Sequence, residues 1–358
     1  MNDLRTRLKE RIIELCSLMS VSGFEKRAKK ELYALLGDSF DEVRTDLVGN
    51  HIFTKRCGTE GAPTLLVDAH FDEIGMLVTE VCEGGFLRFC SMGGLSLSVL
   101  QAADVVIYGK EVIRGVIIST PPHLRSDNGD KLAAIDELMI DTGYSKETLE
   151  KLAPVGTPVG FLPVYSDLLG GRIAGKSFDD KACAAICAAA ITDVPREELS
   201  ANVCLMLSSM EETSRLGGIS PAVNAIQPDY AMVVDVNLAK VPDTPKSETV
   251  PMGGGISVSV SAATDRGLSL EVKALCERGG IAHTMIAAPC STGTNAPTVN
   301  LSGDGIPVVD IGLPLANMHT YNEVIDLSDC EALYRLVEAF IKDGDLAEKY
   351  KRGEELPL

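Results

Sequence analysis

The chain has 358 residues, 51 acidic against 33 basic side chains, and a formal net charge of −18. That length is too great for one simple core and calls for two domains, or one domain with a large insertion. The acidity argues against nucleic acid and anionic membrane surfaces as partners, since both attract the Lys and Arg clusters missing here.

Leu4, Leu8, Ile12 and Leu15 recur at helical spacing, and after the Ser22-Gly23 break a second helix is expected over 25–36. The opening segment is charged and amphipathic, unlike a signal peptide. No apolar run reaches the length needed to span a bilayer, so a cytoplasmic protein is expected. Short β-rich runs at 64–69, 203–208, 231–236 and 308–311, bounded by helical stretches, predict an α/β sheet of largely buried strands.

Between 73 and 163 the texture changes. GMLVTEV, GFLRF, VVIYG and EVIRGVIIS succeed one another with few helical signals until 145–151, which predicts a small β-rich domain inserted into the α/β one. Ten cysteines are scattered from Cys16 to Cys330 without CxxC spacing and are read as reduced thiols. Cys183 and Cys187, four apart in an Ala-rich stretch, share a helix face and are expected to pack in the core.

The residues that carry chemistry fall at the exits of the predicted buried strands. His70 follows one, with Asp72 two residues on, where a carboxylate can hold the second imidazole nitrogen. Asp179 and Asp180 stand before the Ala-rich helix, and helix capping is the plain explanation for at least one of them. Glu211 and Glu212 follow an apolar strand, where burial is costly unless something cationic receives them. Asp235 ends another apolar run, and His319 lies in a loop after VVDIG.

Each residue alone has a bland reading as a surface or capping group. Their joint placement is much harder to attribute to independent accidents, because α/β sheets gather sites beyond the carboxyl ends of their strands. Two imidazoles and three carboxylates suit a pair of divalent ions: zinc or cobalt, with manganese also compatible. Glu211 would then act as the base.

The order of these motifs resembles that of the tetrahedral and glutamyl aminopeptidase family, some of whose relatives carry endoglucanase or deblocking-aminopeptidase labels. The resemblance runs through SVSGFE, DLVGN, AHFDEIG, PPHL, GTPVGF, GKSFDDK, MEE, VVDV, GTNAPTVNLSGDGIPVVDIG and MHTYNEVI, nearly the whole chain. It implies a mixed-sheet metallo-exopeptidase catalytic domain formed by 1–73 and 164–358, with an inserted PDZ-like dimerisation domain at 74–163.

It also implies a role for each residue. Asp179 would bridge two ions, with His70 and Asp235 completing one site and Glu212 and His319 the other. Asp72 would support His70, Glu211 would serve as general base, and the Asp179-Asp180 peptide would be cis. The expected activity is removal of N-terminal residues from short peptides by a dimer-based homo-oligomer, in the family a dodecamer. Two further readings stay open: a glycosidase using the glutamate pair, and a non-catalytic peptide-binding homologue.

Three departures from the family pattern stand out, and the first two bear on how a substrate's N-terminal side chain and amine are held. Ala316 and Asn317 stand where relatives often have Arg-Tyr, Asn295 replaces the acid of a GTDA motif, and Thr213-Ser214-Arg215 replaces Val-Gly-Leu. His123, in PPHL, is read as structural.

Overall fold

The computed structural model describes residues 2–124, 132–213, 217–245, 249–288 and 292–351. The first two helices, α1 (Asn2–Cys16) and α2 (Lys29–Leu36), fall where the apolar spacing places them, although 25–28 form a tighter 3₁₀ turn ahead of α2. Leu8, Ile12 and Leu15 of α1 are buried. Strands β1 (Glu42–Thr45), β2 (His51–Lys55) and β3 (Thr64–His70) follow, and the chain then leaves for the insert.

The insert is a closed antiparallel barrel of six strands: β4 (Gly75–Val81), β5 (Phe86–Met92), β6 (Asp104–Tyr108), β7 (Val112–Ile118), β8 (Met139–Asp141) and β9 (Pro158–Phe161). Helix α3 (Lys146–Leu152) packs beside it. Pairing of β4 with β9 closes the ring, leaving no open edge. Alternation gives the barrel its own core, which includes Met76, Val78, Leu87, Ile107, Ile117 and Ile140. Along β7 every second side chain is buried and its neighbours face solvent.

The chain returns through β10 (Ser166–Leu168) and β11 (Arg172–Gly175) to α4 (Phe178–Asp193) and β12 (Asn202–Ser208). Next come α5 (Ile219–Ile226), β13 (Tyr230–Leu238), β14 (Ile256–Ser261), α6 (Arg266–Gly279) and β15 (His283–Ala288). It ends with α7 (Ala296–Asn300), β16 (Val308–Leu315), β17 (Glu323–Asp326), α8 (Leu327–Lys342) and α9 (Gly344–Lys349).

The main sheet has eight strands in the order β1-β2-β12-β3-β13-β16-β14-β15. Its middle four, β12, β3, β13 and β16, are mutually parallel, while β2 and β14 flank them antiparallel. Parallel strands covered on both faces must be apolar throughout, which explains the unbroken hydrophobic runs in the sequence. Helix α4 is buried on nearly every side, and its many alanines let it sit close between α1, α8 and the sheet.

Cys183 and Cys187 are fully buried there, and all nine described cysteines are free thiols. Among the described residues, no helix is long and apolar enough to cross a membrane. Of the sequence readings, Ser214 and Arg215 lie outside the described residues.

Candidate metal centre

Because the four middle strands run the same way, their carboxyl ends share one edge, and that edge carries the acids and imidazoles. His70 is the last residue of β3 and pairs in register with Ser208, the last of β12. Glu211 and Glu212 come three and four residues later, in a turn entered through Met210 at φ 57°. Asp235 lies within β13, which runs on to Leu238, so it is not a strand-end residue as the sequence suggests. The turn between β16 and β17 brings in His319, itself left-handed at φ 62°. Non-glycine residues persist in that region only where their surroundings over-determine them.

The fifth contributor enters from the helical layer. Asp179 and Asp180 are joined by a cis peptide at the start of α4, and both have non-helical backbone angles. Asp180 is not a helix cap. Its Oδ2 accepts the His70 backbone N–H at 3.1 Å.

All five expected ligands converge. His70 Nε2 lies 3.0 Å from Asp179 Oδ1 and 3.8 Å from Asp235 Oδ1. His319 Nε2 lies 3.5 Å from Asp179 Oδ2 and 3.3 Å from Glu212 Oε2. The two oxygens of Asp179 therefore face different imidazoles. Two donors bound to one ion at roughly 2.1 Å and a tetrahedral angle stand about 3.4 Å apart. The observed spacings bracket that value.

Electrostatics point the same way. Burial, and then the neighbouring acids, push the carboxyls of Glu212 and Asp235 well above the usual range, and Glu211 is raised for the same reasons. Asp180 is also raised well above its usual range by burial, although the His70 imidazole opposes this. Burial opposes charge on His70, yet the Asp179 and Asp72 carboxylates outweigh it and raise its pKa well above normal.

Glu212 Oε1 and Asp180 Oδ1 are buried without a hydrogen-bond partner. Such a cluster lacks positive charge, and oxygen with imidazole nitrogen is a donor set for divalent ions. His70, Asp179 and Glu212 form one group with ligand-ion spacing, and His70, Asp180 and Asp235 form another. Asp180 thus belongs with the candidates in a way its apparent capping position concealed.

The supporting contacts differ from the simplest expectation. The His70 Nδ1 partner is the Asp72 backbone carbonyl at 3.1 Å, with the Asp72 carboxylate at 3.5 Å. A carbonyl only accepts, so Nδ1 carries a proton, and Nε2 is the nitrogen turned toward the acids, able to bind an ion in exchange for its own proton. The Asp72 carboxylate is occupied elsewhere, accepting the backbone N–H groups of Glu211 at 3.0 Å and Glu212 at 3.1 Å.

Glu323 was missed by sequence reasoning. Buried in β17, it accepts from the Asp179 and His319 backbones, and its place four residues after His319 was the only available signal. The barrel also reaches the site. A Cβ on Gly94, just after β5, would fall 2.7 Å from His319 Nδ1, so the absence of a side chain lets this loop pass close to the ring.

The departures in the sequence separate in space. Asn295 is buried, and its amide donates to Asp68 Oδ2 and Ser208 Oγ, both at 3.0 Å, so its effect is on the floor beneath His70. Ala316 bridges to Val324, and Asn317 is exposed at φ 60°. His123 is exposed on a short turn of the insert.

Comparison with known proteins agrees with this architecture. A lysyl aminopeptidase of Pyrococcus furiosus is 29% identical over 332 residues, covering 90% of this chain and 93% of that protein. An aminopeptidase from the archaeon Desulfurococcus kamchatkensis superposes with a TM-score of 0.89 at 28% identity, covering 99% of this chain and 100% of the other. The Pyrococcus horikoshii TET1 peptidase, which can assemble into a tetrahedron or a large octahedral shell, gives 0.82 at 28% identity, covering 93% and 99%. The M42 glutamyl aminopeptidase family model matches residues 49–336. The mixed sheet, the inserted six-strand barrel and this match over more than half the chain establish that the protein belongs to the M42 glutamyl aminopeptidase family and is a metallo-aminopeptidase.

Proposed function

We propose that the protein removes N-terminal residues from short peptides, with Glu211 as general base beside a two-cation centre. The observation that carries this reading is the Asp179 carboxylate, whose two oxygens face His70 at 3.0 Å and His319 at 3.5 Å. In it, His70 and Asp235 would hold one divalent ion and Glu212 and His319 the other, with Asp179 available to both. Zinc or cobalt suits these donors best, and manganese comes next. When bound, such ions acidify water and polarise a peptide carbonyl.

The chain's own groups supply proton transfer and alignment. Glu211 takes a proton from the attacking water and delivers it to the departing amine, so one carboxylate serves first as base and then as acid. Burial raises its proton affinity above that of an ordinary glutamate, which favours the second role. Asp72 fixes the peptide bearing Glu211 and, through its carbonyl, the orientation of the His70 ring.

The same reading divides the chain into a catalytic domain at 1–73 and 164–358 and a dimerisation domain at 74–163. It extends to a dimer-based homo-oligomer, with the shells of the TET1 relative as the precedent. The free thiols support a reducing, cytoplasmic setting.

The test is to strip the protein of metal, restore zinc, cobalt or manganese singly, and assay aminoacyl-nitroanilides and short peptides alongside a cellulosic substrate. Residue release only with metal, lost in Glu211→Gln while metal content is retained, is expected. Metal-independent sugar release, or an active Glu211→Gln variant, would overturn the reading.

A further inference from the structure

The turn that carries Glu211 lies outside the sheet ladder, yet four successive backbone N–H groups in it are all satisfied by side chains from remote parts of the chain. Ser209 donates to Asn50 Oδ1 at 2.9 Å, and Met210 to Glu25 Oε1 at 3.1 Å. Glu211 and Glu212 donate to the two oxygens of Asp72. Irregular backbone is ordinarily the most mobile part of a site, and here every peptide from 209 to 212 is tied down.

The two acceptors upstream of Asp72 are themselves fixed. Asn50 and Glu25 are fully buried. The Asn50 amide donates to Asp46 Oδ2 at 2.6 Å and to the Gly218 carbonyl at 2.7 Å, so its oxygen has one orientation. Asp46 Oδ1 in turn accepts the N–H groups of Val48, Gly49 and Asn50. Glu25 Oε1 also receives the Gly23 N–H at 2.8 Å. Gly49, at φ +125°, lets the two segments meet, since a Cβ there would fall 3.3 Å from Glu25 Oε2. The SVSGFE and DLVGN motifs, which contribute no group to the metal centre, thus end on the peptides preceding the base.

We propose that Glu25 and Asn50 are positioning residues that set the Glu211 carboxylate by clamping the Ser209 and Met210 peptides, a role that rests on Glu211 being the base. Misplacing a reacting group by about an ångström costs on the order of 100-fold in rate. What matters at position 25 is an acceptor oxygen at the right reach. Charge is secondary, because both donors use the same oxygen.

Conservative variants separate these properties. Glu25→Gln keeps the reach and removes the charge, while Glu25→Asp keeps the charge and withdraws the oxygen by one methylene. With metal-loaded full-length enzyme and leucyl-, glutamyl- and lysyl-4-nitroanilides, Glu25→Asp is expected to lower kcat roughly 10- to 100-fold with KM and bound metal unchanged. Glu25→Gln should stay within a few-fold of wild type, and Asn50→Ala should resemble Glu25→Asp.

Wild-type kcat in both Glu25→Asp and Asn50→Ala would overturn the clamp, as would loss of activity matched by loss of metal or of folded protein. Glu25→Gln failing while Glu25→Asp works would overturn it in favour of a charge role. Glu211→Gln measured in parallel keeps the two ideas apart: an inactive Glu211→Gln beside fully active Glu25→Asp and Asn50→Ala sinks the clamp alone, and an active Glu211→Gln sinks the base.

Discussion

Glu323 receives the backbone N–H of Asp179 at 3.1 Å. Its other oxygen takes that of His319 at 3.2 Å, so a single carboxylate ties the Asp179 peptide to that of one of the imidazoles. Neither peptide has a ladder partner to fall back on. Outer contacts of this kind typically carry 10- to 100-fold in metal affinity. Glu323→Ala should weaken metal uptake by that factor, read by titrating the stripped protein calorimetrically, and Glu323→Gln should do less damage because its amide oxygen still accepts one bond.

Gly94 offers a steric test of the same imidazole. The methyl of Gly94→Ala would stand 2.7 Å from His319 Nδ1, closer than real Cβ contacts come, so the ring or the loop must move. The expected result is a loss of at least about 10-fold in kcat/KM. Gly37→Ala is the control, since the same methyl there meets nothing within 4 Å. Equal activity in the two variants would remove the barrel loop from the site.

Glu73 sits between two buried ammonium groups, paired with Lys176 and lying 3.2 Å from Lys181. Glu73→Ala strands both cations in the interior, a defect that costs roughly 3–5 kcal/mol. Urea unfolding should show a loss of unfolding free energy of that order. A shift below about 1 kcal/mol would mean that the lysines find other partners or lose their charge.

His51 supplies a pH signature separate from the acids at the metal centre. It is fully buried between Thr45 Oγ1 at 2.9 Å and the Glu25 carbonyl at 3.1 Å, and burial lowers its pKa from 6.5 to about 4. The unfolded chain therefore takes up a proton below pH 6.5 that the folded chain refuses until about pH 4. The contribution is fully present above the upper value and is lost as pH falls through the lower one, on the order of 3 kcal/mol in all. His51→Gln should flatten this limb in denaturant titrations between pH 7 and 4; an unchanged slope would refute the assignment.

The central strands were legible because burial on both faces makes them continuous apolar runs, and His70, Glu212 and His319 were legible because they interrupt or follow such runs. Strands β2, β14 and β15 were not read from the sequence. His51 and Lys55 in β2, and the serines of β14, break the apolar pattern, their polarity being absorbed by contacts that only the fold reveals, such as Lys55 Nζ donating to the carbonyls of Ile191 and Val194. Asp180 and Glu323 were hidden for a related reason. An acid before a helix reads as a cap and an acid in a terminal strand reads as solvated, while their true partners lie 110 and 144 residues away.

The barrel departs from the main sheet five residues after His70 and sends the Gly93-Gly94 turn back against Glu212 and His319. Transplanting this module between relatives would therefore rebuild one wall of the candidate site. Chimeras should inherit altered substrate ranking even when His70, Asp179, Glu211, Glu212, Asp235 and His319 are all left untouched.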